Sequence, residues 1–342
     1  MSFRFRSGES PADAIQRLVV ERTRSARSRL KRAPDGDAVH EARRDLKRLK
    51  ALLEWVRPAV RGRDLRRWLR AVDRCSHPLS DVRDAQVRLR SLSWVTTGPR
   101  DQVLPAGSWN RLARRLRQEL SRHVRLAGRG RRIRRLRERL SGWLREFQAR
   151  GPSAWDWQMA QAGLRASYRR ARRGLARAQA CSDSATRHRW RRHIQILSDQ
   201  LAPLGPAAFP AMAAWASGLE ALRACLGLDH DLWLLREFLR GPGRDTLPSG
   251  ERDRLLRVLR VRRRKLAADA LRLGRRLFLL RSSRFLPAFQ RLGQARQAAF
   301  EDVDLTGDTW AGREPMTGPE PATLADGNGV RFPGPDEPLR RR

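Results

Sequence analysis

A row of basic side chains follows one face of the helix that the sequence predicts over 39–56. Its members recur at spacings of three and four residues and are His40, Arg43, Lys47 and Lys50. Beside it runs an apolar stripe at the same spacing, formed by Ala42, Leu46, Leu49, Leu53 and Val56. Because such a stripe is typical of a helix buried in a bundle, we expect the basic row to flank the buried face and to line a groove where two such helices meet.

The basic row contains no acidic residue that continues its face until Glu54. A helix face that only keeps a protein soluble usually mixes charges, with Glu and Lys four residues apart. Like charges in a row repel one another, so the pattern favours an anionic partner over the alternative, a solvated charged face.

The whole chain is strongly basic, with 74 Lys and Arg against 36 Asp and Glu and a formal net charge of +38. This excess indicates a polyanionic partner, either nucleic acid, an acidic membrane surface or inorganic polyphosphate. Most of the positive charge is arginine, whose fork of N–H donors suits phosphate oxygens. The N-terminus lacks an apolar signal segment, no apolar stretch is long enough to span a membrane, and the cysteines show no paired spacing. We therefore expect a cytoplasmic location.

Helical periodicity dominates the chain and strand signals are nearly absent, which predicts an all-α fold. Between residues 211 and 239 we predict two separate helices, over 211–226 and 229–239. From residue 301 the chain is rich in Gly, Pro and acidic residues, so we predict a disordered acidic tail over 301–342. This tail is either passive or folds back onto the basic groove.

Several motifs recur at a constant offset of 147 or 148 residues. The recurring pairs are Arg17/Arg165, Arg24/Arg172, His40/His188, Arg43/Arg191, Arg83/His230 and Asp84/Asp231. One coincidence would be weak, but several at one offset predict a duplication. We predict a first helical repeat over 1–150 and a second over 151–300, two tandem bundles with pseudo-twofold symmetry around a basic groove.

The pair Arg83-Asp84 and its counterpart His230-Asp231 allow two interpretations. In one, Arg83 or His230 reaches a bound anion. In the other, which we favour for Asp84 and Asp231, a buried carboxylate orients a basic neighbour or caps a helix.

The histidines suggest a dependence on pH. Imidazole becomes cationic below about pH 6.5, and neighbouring phosphates favour the charged form. We hypothesise that His40 and His188 become cationic when an anion binds, so that affinity rises from about pH 8 to about pH 6.

Catalytic and metal-binding motifs are absent from the sequence, which has no P-loop, no Gly-x-Ser-x-Gly, no HExxH and no CxxC. We therefore predict a protein that is not an enzyme and that needs no metal or cofactor. Nucleic-acid binding is the main rival function. The sequence has no zinc finger, basic zipper or RNP motif, and tryptophans such as Trp55, Trp68 and Trp143 suit a core better than a stacking surface. Nonspecific binding of nucleic acid stays open as the alternative.

Six segments in order along the chain resemble a CHAD protein, the family of the conserved histidine α-helical domain. They are VHEARRDLKRLKALLEWVRP from Val39, LSDVRDAQVRL from Leu79, SYRRARRGLARA from Ser167, HRWRRHI from His188, LGLDHDLWLL from Leu226 and LRLGRRLF from Leu271. Together they cover residues 3–295, approximately. The resemblance implies two helical bundles around a basic groove, binding of long-chain inorganic polyphosphate and association with polyphosphate granules.

Polyphosphate-binding residues follow from the resemblance, position by position. They are His40, Arg43, Lys47 and Lys50 in the first half, His188, Arg191 and Arg192 in the second, and Arg17, Arg24, Arg165, Arg169 and Arg172 on the preceding helices. We add Arg83 as a candidate from the motif analysis. This chain has Gln195 and Ser198 where the family usually has basic residues, and Asp199 where an aromatic residue is common, so we expect the first half to dominate. The ExExK signature of the triphosphatase-like domain that many relatives carry is missing, which predicts a stand-alone binder.

Overall fold

The computed structural model describes residues 3–6, 8–31, 36–96, 103–127, 130–204, 213–285 and 287. These ranges contain ten α-helices and no strand, which confirms the predicted all-α class. The helices are α1 Pro11–Lys31, α2 Gly36–Trp55, α3 Gly62–Ser76, α4 Ser80–Thr96, α5 Ala106–Ala127, α6 Gly130–Arg150, α7 Trp157–Ala180, α8 Ser184–Leu201, α9 Ala213–Arg240 and α10 Ser249–Leu277. The predicted acidic tail over 301–342 lies outside the described residues, and so does its proposed contact with the groove.

Two helices of the second half begin at aspartate caps. The Asp156 carboxylate accepts a hydrogen bond of 2.7 Å from the Met159 N–H at the start of α7. The Asp183 carboxylate accepts one of 2.6 Å from the Thr186 N–H at the start of α8. Each bond satisfies a backbone donor that has no partner within the helix, so the sequence fixes where both helices begin.

The prediction of two helices between residues 211 and 239 is wrong, because α9 runs unbroken from Ala213 to Arg240. Gly227 lies in its interior, where glycine destabilises a helix by only about 1 kcal/mol relative to alanine. Leu222 and Leu226 before the glycine and Leu235 after it are all buried. Their burial outweighs the low helix propensity of Gly227 and keeps the helix continuous.

The larger hydrophobic core crosses the predicted boundary between the repeats. The Trp55 ring of α2 meets the Trp155 ring edge-on with 5.2 Å between centroids, and its indole N–H donates to the Ala160 carbonyl at 2.8 Å. A Cβ atom at Gly163 would lie 2.3 Å from the Trp55 carbonyl oxygen, so this close approach of α7 to α2 requires glycine. Trp68 and Trp143 are also buried, which confirms that these tryptophans fill the core.

A second, smaller core joins α4 and α5 to α9 and α10. Around the two cores, α2 packs against α8, α4 packs against α9, and the contacts α2–α4 and α8–α9 complete a group of four helices. These four helices carry the recurring pairs His40/His188, Arg43/Arg191 and Arg83/His230, whereas the recurring arginines Arg17, Arg24, Arg165 and Arg172 lie on α1 and α7. The division into two repeats and their pseudo-twofold relation stay predictions.

None of the helices within the described ranges combines the length and the apolar character that crossing a bilayer requires. The three cysteines are free thiols, of which Cys75 is buried and Cys181 exposed.

Candidate anion-binding site

Four helices bring together a group of ionisable side chains, which we call the central cluster. It consists of Arg43 and Lys47 on α2, Arg83 and Asp84 on α4, His188 and Arg191 on α8, and His230 and Asp231 on α9. All eight side chains are partly buried. Residues far apart in sequence therefore share one electrostatic environment.

The pKa of Lys47 shows the effect of this environment. Burial lowers the pKa of Lys47 to about 7, and the positive charges of Arg191, Arg43 and Arg83 act in the same direction, while Asp199 opposes them. Desolvation and like charges both disfavour the ammonium form. At neutral pH only about half of the Lys47 side chains are charged in the unliganded protein.

For the three arginines of the cluster, burial and neighbouring positive charges likewise outweigh the effect of neighbouring carboxylates on the pKa. Burial lowers the pKa of Arg43, Arg83 and Arg191. The charge of Asp84 partly offsets this pKa change at Arg43, and Asp231 does so at Arg83 and Arg191. Within the part of the chain that the structure describes, none of these arginines nor Lys47 forms an ion pair shorter than 4 Å. The carboxylates thus moderate the positive charge without neutralising it by direct contact.

The two histidines of the cluster lie side by side, with 4.5 Å between ring centroids. Burial lowers the pKa of His188 to about 4, helped by the charges of Arg192 and Arg191. Burial likewise lowers the pKa of His230 to about 2, helped by Arg191 and His188. Both imidazoles are therefore neutral at pH 7. The buried Nδ1 of His188 makes no hydrogen bond with the described residues.

Two sets of hydrogen bonds hold the cluster in place. The Arg43 guanidinium donates to the Ser76 carbonyl at 3.0 Å and to the Ser80 hydroxyl at 2.7 Å, which ties α2 to the end of α3 and to the start of α4. Beside His230, the Asp229 carboxylate accepts bonds of 2.8 Å from Arg187 on α8 and Arg263 on α10. A buried carboxylate with two charged donors is strongly held, so this contact fixes α9 relative to its neighbours.

Some predicted binding residues have partners outside the central cluster. Lys50 pairs with Asp73 on α3 at 2.8 Å, and Arg172 donates to the Phe278 carbonyl at 3.2 Å. Arg17 forms salt bridges with Glu9 at 2.6 Å and with Glu21 at 3.1 Å. A ligand would have to compete with these partners.

The remaining predicted binding residues lie on α1, α2, α7 and α8 and differ in their exposure to solvent. Arg24 on α1 and Arg169 on α7 are exposed, whereas Arg165 on α7 and His40 on α2 are partly buried. Arg192 is exposed and close enough to lower the pKa of His188. Contact of these side chains with a ligand stays a prediction.

The sequence marked Asp199 only as a departure from the family pattern, and it did not indicate that its charge would act on Lys47. Burial raises the pKa of Asp199, and a hydrogen bond of 2.9 Å from Gln195 counteracts this. One turn away, Ser198 donates to Glu220 on α9. A carboxyl group is therefore hydrogen-bonded to each of Gln195 and Ser198, the two positions where α8 lacks the basic residues of α2. The signal was available, because Gln195 and Asp199 are four residues apart and share a helix face.

Among the described residues, no three His, Cys, Asp or Glu side chains are placed to hold a metal ion.

The fold and the site define an all-helical protein whose central helices gather partly buried basic side chains. The family model of the CHAD domain matches residues 14–240, about two thirds of the sequence, and the chain belongs to this family. The matched span includes all four helices of the central cluster. A comparison with curated proteins gives no match.

Proposed function

We propose that the protein binds inorganic polyphosphate without catalysing its turnover, and that the central cluster is the binding site. One observation carries the proposal: Arg43, Lys47, Arg83 and Arg191 are partly buried together without direct ion pairs among the described residues. Burying unpaired positive charge is unfavourable. A bound polyanion would relieve that cost, because its charges would replace the missing counter-ions.

Three further features support polyphosphate as the polyanion. The CHAD family is linked to polyphosphate binding in general. Arginine forks form charge-assisted hydrogen bonds with phosphate oxygens. The cluster is partly enclosed by four helices, and a single phosphate chain is thinner than a nucleic-acid duplex.

The proposal also concerns the organisation of the chain. The repeats over 1–150 and 151–300 would each supply helices to one shared site. The protein would act as a stand-alone binder at cytoplasmic polyphosphate granules, where it would target or organise them.

Charge-matched variants test this function. R83M/R191M removes two arginines of the central cluster, whereas R254M/R257M removes two exposed arginines of α10 that have no ion pair among the described residues. Hydrogen bonds to charged groups contribute about 1.5–3 kcal/mol each, so R83M/R191M should bind labelled long-chain polyphosphate at least tenfold more weakly, approximately, at about 0.15 M salt. The α10 variant should lose less than about threefold.

Competition with duplex DNA at equal phosphate concentration completes the test. The proposal requires DNA to displace polyphosphate poorly. If DNA competes as well as polyphosphate and both variants bind alike, the protein is a diffuse polycation and nonspecific nucleic-acid binding becomes the better description. R83K/R191K keeps the charge and shows whether the guanidinium shape matters.

A further inference from the structure

A second basic surface lies on α5, a helix that contributes no residue to the central cluster. Its side chains line an open groove of about 450 Å³, and they are Asn110, Arg114, Arg117, Gln118, Ser121 and Arg125. We call these six residues the α5 face. Every member can donate a hydrogen bond, and none carries a negative charge. The chemistry of the groove suits an anion with many acceptor oxygens.

The α5 face lacks a counter-charge from its own helix. The single acidic residue of α5, Glu119, instead accepts a hydrogen bond of 2.8 Å from Arg88 on α4 and lies 3.7 Å from His123. Arg114 and Arg125 are exposed and form no ion pair with any described residue. Arg114 and Arg117 are three residues apart, a spacing at which like charges repel weakly, and an external anion would relieve this repulsion.

One arginine of the face is held by an aromatic ring. The Arg117 guanidinium lies 5.9 Å from the centroid of the Trp109 ring. The Trp109 indole N–H donates to the Thr96 hydroxyl at 3.0 Å, which anchors the ring to α4. A cation above a fixed ring loses fewer conformations when it binds a ligand. Arg117 is therefore partly ordered in advance.

The exposure of the α5 face distinguishes it from the central cluster. The arginines Arg114, Arg117 and Arg125 are all exposed, whereas the cations of the central cluster are partly buried. The face follows α5 for about 22 Å, from the rise of 1.5 Å per residue between its first and last members. A wide polyanion can lie along such a surface, and phosphate contacts alone give binding that is independent of base sequence.

We infer that the α5 face binds the phosphodiester backbone of duplex nucleic acid, nonspecifically and separately from the central cluster. The protein would then hold two different polyanions at two surfaces, which goes beyond the proposed binding of polyphosphate. A protein with both contacts can link polyphosphate to nucleic acid.

The test compares two triple variants with equal loss of charge. R114Q/R117Q/R125Q alters the α5 face, and R254Q/R257Q/R264Q alters exposed arginines of α10 that form no ion pair with the described residues. Binding of a labelled DNA duplex of about 25 base pairs is measured across a range of salt concentrations. We expect the α5 variant to bind DNA about tenfold more weakly. The slope of log affinity against log salt concentration should become shallower by about two to three units, since each lost phosphate contact removes about 0.9. The α10 variant should lose less than about threefold.

Binding of polyphosphate separates this inference from the proposed function. The α5 variant should bind polyphosphate like the unaltered protein, and R83M/R191M should keep its affinity for DNA. Equal losses of DNA affinity in the α5 and α10 variants, or parallel losses of DNA and polyphosphate in the α5 variant, would overturn the inference. Failure of the proposed function would show elsewhere, as unchanged polyphosphate binding by R83M/R191M.

Discussion

Binding of polyphosphate at the central cluster should take up protons at mildly alkaline pH, and Lys47 should be the group that takes them up. Its pKa is about 7 in the unliganded protein, lowered first by burial and then by Arg191, Arg43 and Arg83. Bound phosphates would favour the charged ammonium. The pKa of Lys47 should therefore return toward its ordinary value in the complex.

The expected size of the effect follows from this pKa. At pH 8 about 0.9 of the Lys47 side chains are neutral in the free protein, and nearly all should be charged in the complex, so binding takes up about 0.9 proton. Because binding adds protons, affinity falls as pH rises, by about eightfold to tenfold between pH 8 and pH 9. Near pH 6 the uptake by Lys47 drops to about 0.1 proton, and its contribution to the pH dependence disappears.

Other charged groups surround Lys47 on every side of the cluster. The facing groups are Arg43 on α2, Arg83 and Asp84 on α4, His188, Arg191 and Asp199 on α8, and His230 and Asp231 on α9. Arginine is effectively always protonated in proteins, and His188 and His230 are neutral above pH 7 in the unliganded protein. Burial raises the pKa of Asp84, Asp199 and Asp231, so the control has to exclude proton uptake by these carboxylates.

Calorimetry at about pH 8 in two buffers of different ionisation enthalpy measures the proton uptake directly. Long-chain polyphosphate keeps the contribution of its terminal groups small. K47R supplies the control, since arginine keeps its charge at this pH and leaves the carboxylates in place. K47R should bind with almost no proton uptake, and K47M should bind more weakly at every pH. Uniform affinity of the unaltered protein from about pH 7 to about pH 9, or undiminished uptake in K47R, would refute the reasoning.

Two further predictions concern the histidine pair and the helix packing. The pKa of His188 is about 4 in the unliganded protein, and even a return to its ordinary value of about 6.5 beside bound phosphates would leave it mostly neutral at pH 7.5. H188Q should therefore change polyphosphate affinity by less than about threefold at pH 7.5, and the rise in affinity that depends on His188 between about pH 8 and about pH 6.5 should not exceed about twofold. A clear rise that H188Q removes would instead support protonation of His188 on binding. G163A places a Cβ atom 2.3 Å from the Trp55 carbonyl oxygen and should lower the free energy of unfolding by about 1–3 kcal/mol. G227A is the matched control, because apart from the neighbouring backbone of its own helix nothing lies within 4 Å of the added Cβ, and it should stabilise the protein by about 0.5–1 kcal/mol in urea unfolding.

The helical periodicity of the sequence was sufficient to predict the fold class, because burial of apolar stripes decides it. The continuity of α9 was not predictable in the same way. Gly227 resembles a helix end in sequence, and only the burial of Leu226 and Leu235 on one continuous helix shows that packing outweighs its propensity.

The sequence was sufficient to predict that the site consists of basic side chains, but not which of the basic side chains belong to it. The row on α2 contained Arg43 and Lys47, which belong to the central cluster, but also Lys50, which pairs with Asp73 at 2.8 Å. That carboxylate lies 23 residues along the chain, on α3. Helical spacing specifies the face of a helix, whereas the partner of each side chain depends on which neighbouring helix lies beside it.

The carboxylates of α8 and α9 indicate how a phosphate chain would cross the central cluster. The N-terminal part of α8 presents His188 and Arg191, but farther along the helix Gln195 donates to Asp199 and Ser198 donates to Glu220. A polyanion that followed α8 beyond Arg191 would meet the carboxyl groups of Asp199 and Glu220, whereas α2 continues with Lys47 and carries no carboxyl group at the matching positions. The chain should therefore pass from the start of α8 to α2 instead of following both helices equally. On this path the first half would supply most of the contacts, and Arg191 would be a contact from the second half.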